Sequence, residues 1–394
     1  MKNTPFPLGE LTSEQFLADY WQQKPLVIRN ALPNFVCPIT PEELAGLAME
    51  EDVESRIIRE NTGDNNDAAP WDLKSGPFNE EDFTSLPDTH WTVLVQEINK
   101  HIPEFALLQE RFNFLPNWRL DDVMVSFAPE YGTVGPHADN YDVFLIQGPG
   151  RRRWQLSYQD CGPEQLIPGL PVRILNDFQP EEEYILEEGD MLYLPPGVVH
   201  HGVALEDCIT ISVGYRAPAI AELAAAYCAD SVSRLDTEKF YNDPGIELRE
   251  QPGLITTSEL ARIRDELRQV MQRDDDELAR WFASFTTDVK PGHYLPEPES
   301  ELSLDAFLET LNRQGELWRS EYARFSYIEQ HGSTLLYVAG EEIPLHHDLA
   351  FAATLLSGQR RFDLTVLLPH LETAGFADLL TALYNLGALY FPGE

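Results

Sequence analysis

Between Leu120 and Pro218 the chain is a succession of short apolar runs broken by Gly and Pro: VMVSFAP, YDVFLIQ, RRRWQLSY, EEYILEEGDMLYLPPG and CITISVGYR. Strands that follow one another without intervening helices pair as antiparallel neighbours, so this stretch predicts a sandwich or barrel. Upstream, SEQFLADYWQQ, TPEELAGLAME and HWTVLVQEINKHI read as helices packed on or beside that β-core, and Asn61 to Phe78 reads as a polar loop.

The pattern then changes character twice. AIAELAAAYCADSVSRL is Ala-rich and helical, and Thr256-x-x-Glu259 makes a capping box. Behind it, Leu260, Ile263, Leu267, Val270 and Met271 fall on one helical face, and a shorter helix carries Leu278, Trp281, Phe282 and Phe285. An apolar helical insert of this kind serves either as a packing layer between domains or as a dimer interface. After the Pro-rich linker DVKPGHYLPEPESE, the last region mixes helices with strand-like TLLYV and ALYF, with AGFADLLTALYNLG as the last helix. That αβααβ-like order suits a small winged-helix unit. It has no basic recognition helix, so a protein-contact or structural role is expected.

Composition narrows the partners. The 394 residues carry 28 Lys plus Arg against 66 Asp plus Glu, a formal net charge of −38. This sign is wrong for holding a phosphate backbone, so direct nucleic-acid binding is disfavoured. The same charge speeds encounter with cationic partners such as ribosomal proteins, although plain solubility or salt adaptation also produces it. At 43% hydrophobic and 11% aromatic residues the chain can fill real cores. Cys37, Cys161, Cys208 and Cys228 form no C-x-x-C pair, so a reducing cytoplasm is expected, and no apolar run approaches a membrane span.

Two segments carry chemistry. In Gly135-Pro136-His137-Ala138-Asp139, residues i and i+2 of an extended chain face the same side, so His137 and Asp139 aim an imidazole and a carboxylate at a common point. The stretch from Gly189 to His200, with Pro195, Pro196 and Gly197 between, matches G-x5-P-x-G-x2-H and resembles the second cupin signature. Together His137, Asp139 and His200 make a 2-His-1-carboxylate set, which leaves open positions on iron(II); three-ligand zinc hydrolysis is the chemical rival. His201 is one residue out of register and points away. A second H-x-D step, His346-His347-Asp348, has no cupin pattern beside it and reads as a surface helix start.

The third element is Gly148-Pro149-Gly150-Arg151-Arg152-Arg153-Trp154, which opens a strand with Arg152 and Trp154 on one face. A guanidinium inside a small barrel needs an anion, and a bidentate carboxylate is the natural one. The distal carboxylate of 2-oxoglutarate fits, with an internal salt bridge as the plain alternative.

With YWQQKPLVIRNALPNF (Tyr20 to Phe35), VGPHADNYDVFLIQGPGRRRWQL (Val134 to Leu156), GDMLYLPPGVVHHG (Gly189 to Gly202) and SVGYRAP (Ser212 to Pro218), the chain resembles the JmjC, cupin-like ribosomal oxygenases. Within them it is most similar to the bacterial arginine hydroxylases of large-subunit ribosomal protein sixteen. The resemblance implies an α+β fold: a double-stranded β-helix (cupin/JmjC) catalytic domain over residues 1–218, a helical dimerisation region over 219–290 and a winged-helix-like domain over 291–394. It implies Fe(II) on His137, Asp139 and His200, which are also the catalytic residues, and 2-oxoglutarate on Arg152 and Ser126. Thr210 departs from the pattern, because relatives often carry Asn there. The implied reaction is oxidative decarboxylation of 2-oxoglutarate by O2 with hydroxylation of an Arg β-carbon. The partner would be a ribosomal protein, in a cytoplasmic homodimer binding neither nucleic acid nor membrane. Histidine hydroxylation of another ribosomal protein and a non-catalytic ribosome-assembly binder are the alternatives. JmjC lysine demethylation is less favoured, since no histone-reading module is present. Glu130, Tyr131, Tyr141 and Asp142 lie near the triad in sequence, where so many acids occur that proximity assigns them no role.

Overall fold

The computed structural model describes residues 6–61, 70–170, 172–246, 248, 250–290 and 292–393. Its N-terminal half runs α1 (Ser13–Asp19), β1 (Leu26–Ile28), α2 (Pro41–Leu47), β2 (Ser55–Glu60), β3 (Trp71–Ser75), α3 (Glu80–Thr84), β4 (Trp91–Val95) and α4 (Pro103–Glu110). The strands β5 (Leu120–Ala128), β6 (Val143–Gln147), β7 (Arg152–Ser157), β8 (Glu182–Leu186), β9 (Met191–Leu194), β10 (Val199–Ala204) and β11 (Cys208–Tyr215) follow. Among the described residues they form a large antiparallel sheet ordered β1-β9-β6-β11-β5-β4-β2-β3, faced by a small one ordered β10-β7-β8. This is the antiparallel architecture expected from the run of strands, in the double-stranded β-helix form that the resemblance implies.

Alternation along the strands divides the large sheet into two surfaces. On β5, β6 and β11 the residues Val123, Val125, Phe144, Ile146, Ile209, Ile211 and Val213 enter the main core, beneath α1, α2 and α4. Phe16 of α1 meets Tyr193 edge-on with ring centroids 4.9 Å apart, and Phe144 packs on Tyr193 at 4.9 Å. The alternate residues Ser126, Leu145, Thr210 and Ser212 face the other way, into the space between the sheets, together with Arg152 and Trp154.

Two sequence expectations fail. HWTVLVQEINKHI is no helix: Trp91–Val95 is β4, clamped between β2 and β5, and only Ile98–Lys100 turns, as a single 3-10 turn. Its four residues from Thr92 to Val95 are all buried, so the strand shows no polar alternation to identify it. The segment Asn61 to Phe78 is only partly a loop. Trp71–Ser75 is edge strand β3, paired to β2, while residues 62–69 lie outside the described residues.

The chain then forms α5 (Ile220–Ser233), α6 (Thr257–Met271) and α7 (Asp275–Thr287). The capping box at Thr256 and Glu259 is present, with each side chain bonded to the other's backbone N–H. The apolar face of α6 is solvent-exposed, with Leu260 at 51% and Leu267 at 61%. The C-terminal part is α8 (Leu304–Gln314), β12 (Glu316–Arg319), β13 (Phe325–Gln330), β14 (Ser333–Val338), β15 (Glu341–Leu345), α9 (Ala350–Gly358), β16 (Arg361–Asp363), α10 (Leu364–Leu371), α11 (Phe376–Asn385) and β17 (Leu389–Tyr390). It closes around its own core of Phe307, Leu336, Phe362, Leu380 and Phe391. TLLYV and ALYF are strands as read, and the β13-β14-β15 meander makes the region richer in strand than αβααβ.

Candidate active site

The loop after β5 and the strand β10 bring the first constellation together. His137 and His200 exchange backbone hydrogen bonds, His137 N–H to His200 O at 3.1 Å and His200 N–H to His137 O at 2.8 Å. The turn at Pro195-Pro196-Gly197 needs a left-handed residue, which Gly197 supplies at φ +83°, and its N–H donates to the Asp139 carbonyl at 2.8 Å. All three residues are therefore tied through main chain before any side chain acts.

Their ligand atoms converge, each within 4.8 Å of the others. His137 Nδ1 lies 2.9 Å from Gly135 O and His200 Nδ1 lies 3.1 Å from Val198 O. Each Nδ1 is thereby a donor, which leaves each Nε2 with a lone pair for the shared point. His200 Nε2 stands 3.8 Å from Asp139 Oδ2. Burial, and then the neighbouring His137, push the His200 pKa down to about 4, so the ring is neutral and able to coordinate. This donor set suits a divalent ion such as Fe(II). His201, also held neutral by burial, turns to the edge of Phe178 and does not join the set. His346, His347 and Asp348 also cluster, but all three are exposed, at a 3-10 turn leading into α9.

A cavity of about 380 Å³ opens in front of the histidines. Arg152 lines it at 3% exposure, and its Nε and Nη2 have no protein partner, although its guanidinium lies 5.7 Å from the Trp154 ring centre. A buried cation with no carboxylate beside it is costly unless a ligand brings one. Ser126 and Thr210 sit directly opposite each other on β5 and β11, both buried, and Thr210 Oγ1 has no partner. The orphaned Arg152 donors with two flanking hydroxyls fit the distal carboxylate of 2-oxoglutarate. Backbone packing guards this end: a Cβ at Gly202 would lie 2.6 Å from the Trp154 ring.

Strand β5 also carries, four residues before Ser126 and on the same face, a residue that the sequence pattern did not reveal. Asp122 is buried, with Oδ2 taking hydrogen bonds from Gln96 Nε2 at 3.0 Å and the Glu97 N–H at 3.4 Å, while Oδ1 faces Gly214. Burial, reinforced by the charge of Asp121, raises its pKa to about 6. Tyr141 lines the same cavity; Asp142, its neighbour in sequence, does not. Asp142 is fully buried, binding Tyr193 Oη at 2.6 Å and Arg119 Nη2 at 3.0 Å, so it is a structural ion pair.

A β-helix with a 2-His-1-carboxylate triad and a buried arginine with unpartnered donors lining the same cavity defines the class, a JmjC-type oxygenase. The description "JmjC domain" matches residues 107–223, and "ROXA-like winged helix" matches residues 266–390. The ribosomal protein uL16 3-hydroxylase of Escherichia coli is 34% identical over 378 residues, 96% of this chain and 97% of that protein. A probable ribosomal oxygenase of Haemophilus influenzae is 38% identical over 282 residues, 69% of this chain and 66% of the relative. The crystal structure of E. coli YcfD superposes with a TM-score of 0.83 at 32% identity, covering 97% of this chain and 98% of that one. YcfD in complex with cobalt and 2-oxoglutarate superposes at 0.81, again at 32% identity, covering 98% and 99%. The chain belongs to the JmjC ribosomal oxygenases.

Proposed function

We propose that this protein is an iron(II)- and 2-oxoglutarate-dependent oxygenase that hydroxylates the β-carbon of an arginine in large-subunit ribosomal protein uL16. His137, Asp139 and His200 would hold the iron, and Arg152 with Ser126 the distal carboxylate of 2-oxoglutarate, with the Thr210 hydroxyl beside them. The metal and the keto acid would together supply the oxidising chemistry with O2. The rest is positioning. Ile58, Leu94, Val143 and Leu145 line the cavity with apolar surface that keeps bulk water out, and Arg152 neutralises the cosubstrate.

Asp122 carries the choice of arginine. A guanidinium entering this cavity needs an ionised acceptor, and Asp122 lines the same cavity as the triad, with its Oδ1 beside Gly214. An imidazole substrate has no such need, which weighs against histidine hydroxylation. An open triad and an unpaired buried Arg152 weigh against a non-catalytic assembly binder, which has no use for either.

The further readings are a division at residues 1–218, 219–290 and 291–394, and a homodimer through the helical region, where Ile255, Leu260 and Leu267 are exposed. The ribosomal substrate and the net charge of −38 support a cytoplasmic location and no direct nucleic-acid binding. No helix among the described residues is long and apolar enough to cross a membrane.

The test is mass spectrometry of an arginine-containing uL16 fragment after anaerobic iron(II) loading, then O2 and 2-oxoglutarate, with His137→Ala as control. A one-oxygen gain on an Arg, absent in the control, is expected. Succinate release without any gain would retain the oxygenase and discard this substrate.

A further inference from the structure

The cavity in front of the triad does not end at Asp122. A second, polar cleft of about 410 Å³ adjoins it through Arg56, Gln96 and Asp122, and is completed by Glu54, Glu97, Asp121, Lys290 and His293. Lys290 lies beyond α7, in the segment leading to the C-terminal domain, yet its Nζ reaches Glu97 Oε1 at 2.6 Å and Asp121 Oδ1 at 2.9 Å. Asp121 also takes Arg324 Nη2 at 3.0 Å, from the loop before β13, and Glu97 also takes Lys100 Nζ at 2.6 Å.

Both residues that Lys290 grips control Asp122. Asp121 precedes it on β5, and Glu97 donates its own N–H to Asp122 Oδ2. Glu97 does so from a left-handed backbone, φ +51° and ψ +32°, a conformation unfavourable for an L residue that persists only when its surroundings hold it. The two lysines on its carboxylate are the hold: with Glu97 pinned, its N–H and the preceding Gln96 side-chain amide both meet one oxygen of Asp122, and the other lies beside Gly214 on the cavity lining.

We infer that Lys290 is a positioning residue for the substrate arginine, fixing Asp122 through Glu97 and Asp121, and that the segment leading into the C-terminal domain thereby sets the geometry of the catalytic cavity. The inference rests on the reading of Asp122 as the guanidinium acceptor. Lys290 adds the one cation of this network that arrives from outside the β-helix and touches both acids. The charged groups facing Asp122 are Asp121 and Glu97, which favour its protonation, and Lys290, which opposes it; Arg56 and Tyr141 share its cavity wall. Loss of Lys290 therefore both loosens the carboxylate and makes it harder to ionise.

Full-length Lys290→Met, Lys290→Arg, Glu97→Gln and Asp122→Asn are compared with the parent on an arginine-containing uL16 peptide, reading KM for peptide, KM for 2-oxoglutarate and the pH profile of kcat/KM. Lys290→Met is expected to raise the peptide KM about 10-fold, the scale of one lost charge-assisted hydrogen bond, with the 2-oxoglutarate KM unchanged and the acid limb moved to higher pH. Lys290→Arg restores both, and Glu97→Gln repeats the loss without touching Lys290. A parental peptide KM and pH limb in Lys290→Met, while Asp122→Asn is impaired, would overturn the inference and leave Asp122 in its role. An equal rise in both KM values would mean general loosening and overturn it too. A parental KM in Asp122→Asn would instead remove the acceptor reading, and the inference with it.

Discussion

Replacing Arg152 by Met should separate function from stability, with opposite signs. Arg152 is 3% exposed, and two of its three guanidinium nitrogens have no protein partner. It holds a buried positive charge with no salt bridge among the described residues, against the Trp154 ring. Met keeps much of the stem volume and removes that charge, so the free enzyme should melt at the parental temperature or above it. The bound cosubstrate behaves in the reverse way. Its carboxylate would sit unpaired in a buried site, a loss of about 3–5 kcal/mol, which at about 1.4 kcal/mol per decade raises the KM for 2-oxoglutarate at least 100-fold. Thermal melts with and without 2-oxoglutarate, beside steady-state succinate release, read both. At 100 times the Kd, ligand should stabilise the parent by about 2.7 kcal/mol, and the variant at the same concentration by almost nothing. A variant that melts several degrees lower while keeping its KM would refute the reasoning and make Arg152 a structural cation.

Three further outcomes are expected. Asp122 binds a guanidinium only as the carboxylate, which is present above its pKa of about 6 and lost as pH falls through it, so kcat/KM for peptide should drop about 10-fold per unit below that point. Asp122→Asn should flatten this limb, and a limb that survives the substitution assigns the titration elsewhere. His200→Gln should remove metal-dependent turnover, whereas His201→Gln, outside the ligand set, should stay within about 2-fold of the parent in kcat, with tryptophan fluorescence on metal titration as a second readout. If the proposed homodimer forms through α6, Leu267→Glu on its exposed face should shift sedimentation from dimer to monomer and leave single-turnover chemistry intact; an unchanged sedimentation coefficient would overturn a dimer through this face.

Some of this was legible because the signals were local. His137-x-Asp139 needs only the two-residue period of an extended chain, and G-x5-P-x-G-x2-H needs only the left-handed turn at Gly197. Alternation set Arg152 on the other face from Arg151 and Arg153, and the family resemblance chose it: Arg151 reaches Glu206 at the surface while Arg152 faces inward. Thr92 to Val95 was misread because a strand buried on both faces carries no alternation. Asp122 escaped because its meaning lies in register. Nothing in LDDVMVSF distinguishes it from Asp121 until Gln96 and Glu97 come alongside on the neighbouring chain segment. Lys290 was further from reach still, placed in a linker by composition and at the cavity's edge by tertiary packing. Asp142 shows the converse: close to the triad in sequence, it is spent on Tyr193 and Arg119 on the other side of the sheet.

The reciprocal backbone bonds between His137 and His200, with the Gly197 N–H on the Asp139 carbonyl, bear on how the enzyme lives with its metal. Where ligands are gathered by folding around an ion, losing the ion means losing the fold. Here main-chain hydrogen bonds also tie together the segments that carry the three ligands. Exchange becomes a matter of ion traffic through the cavity mouth, governed by supply and competition among divalent metals. An enzyme stripped by a chelator should therefore keep its shape and return to work on reloading, with no refolding between.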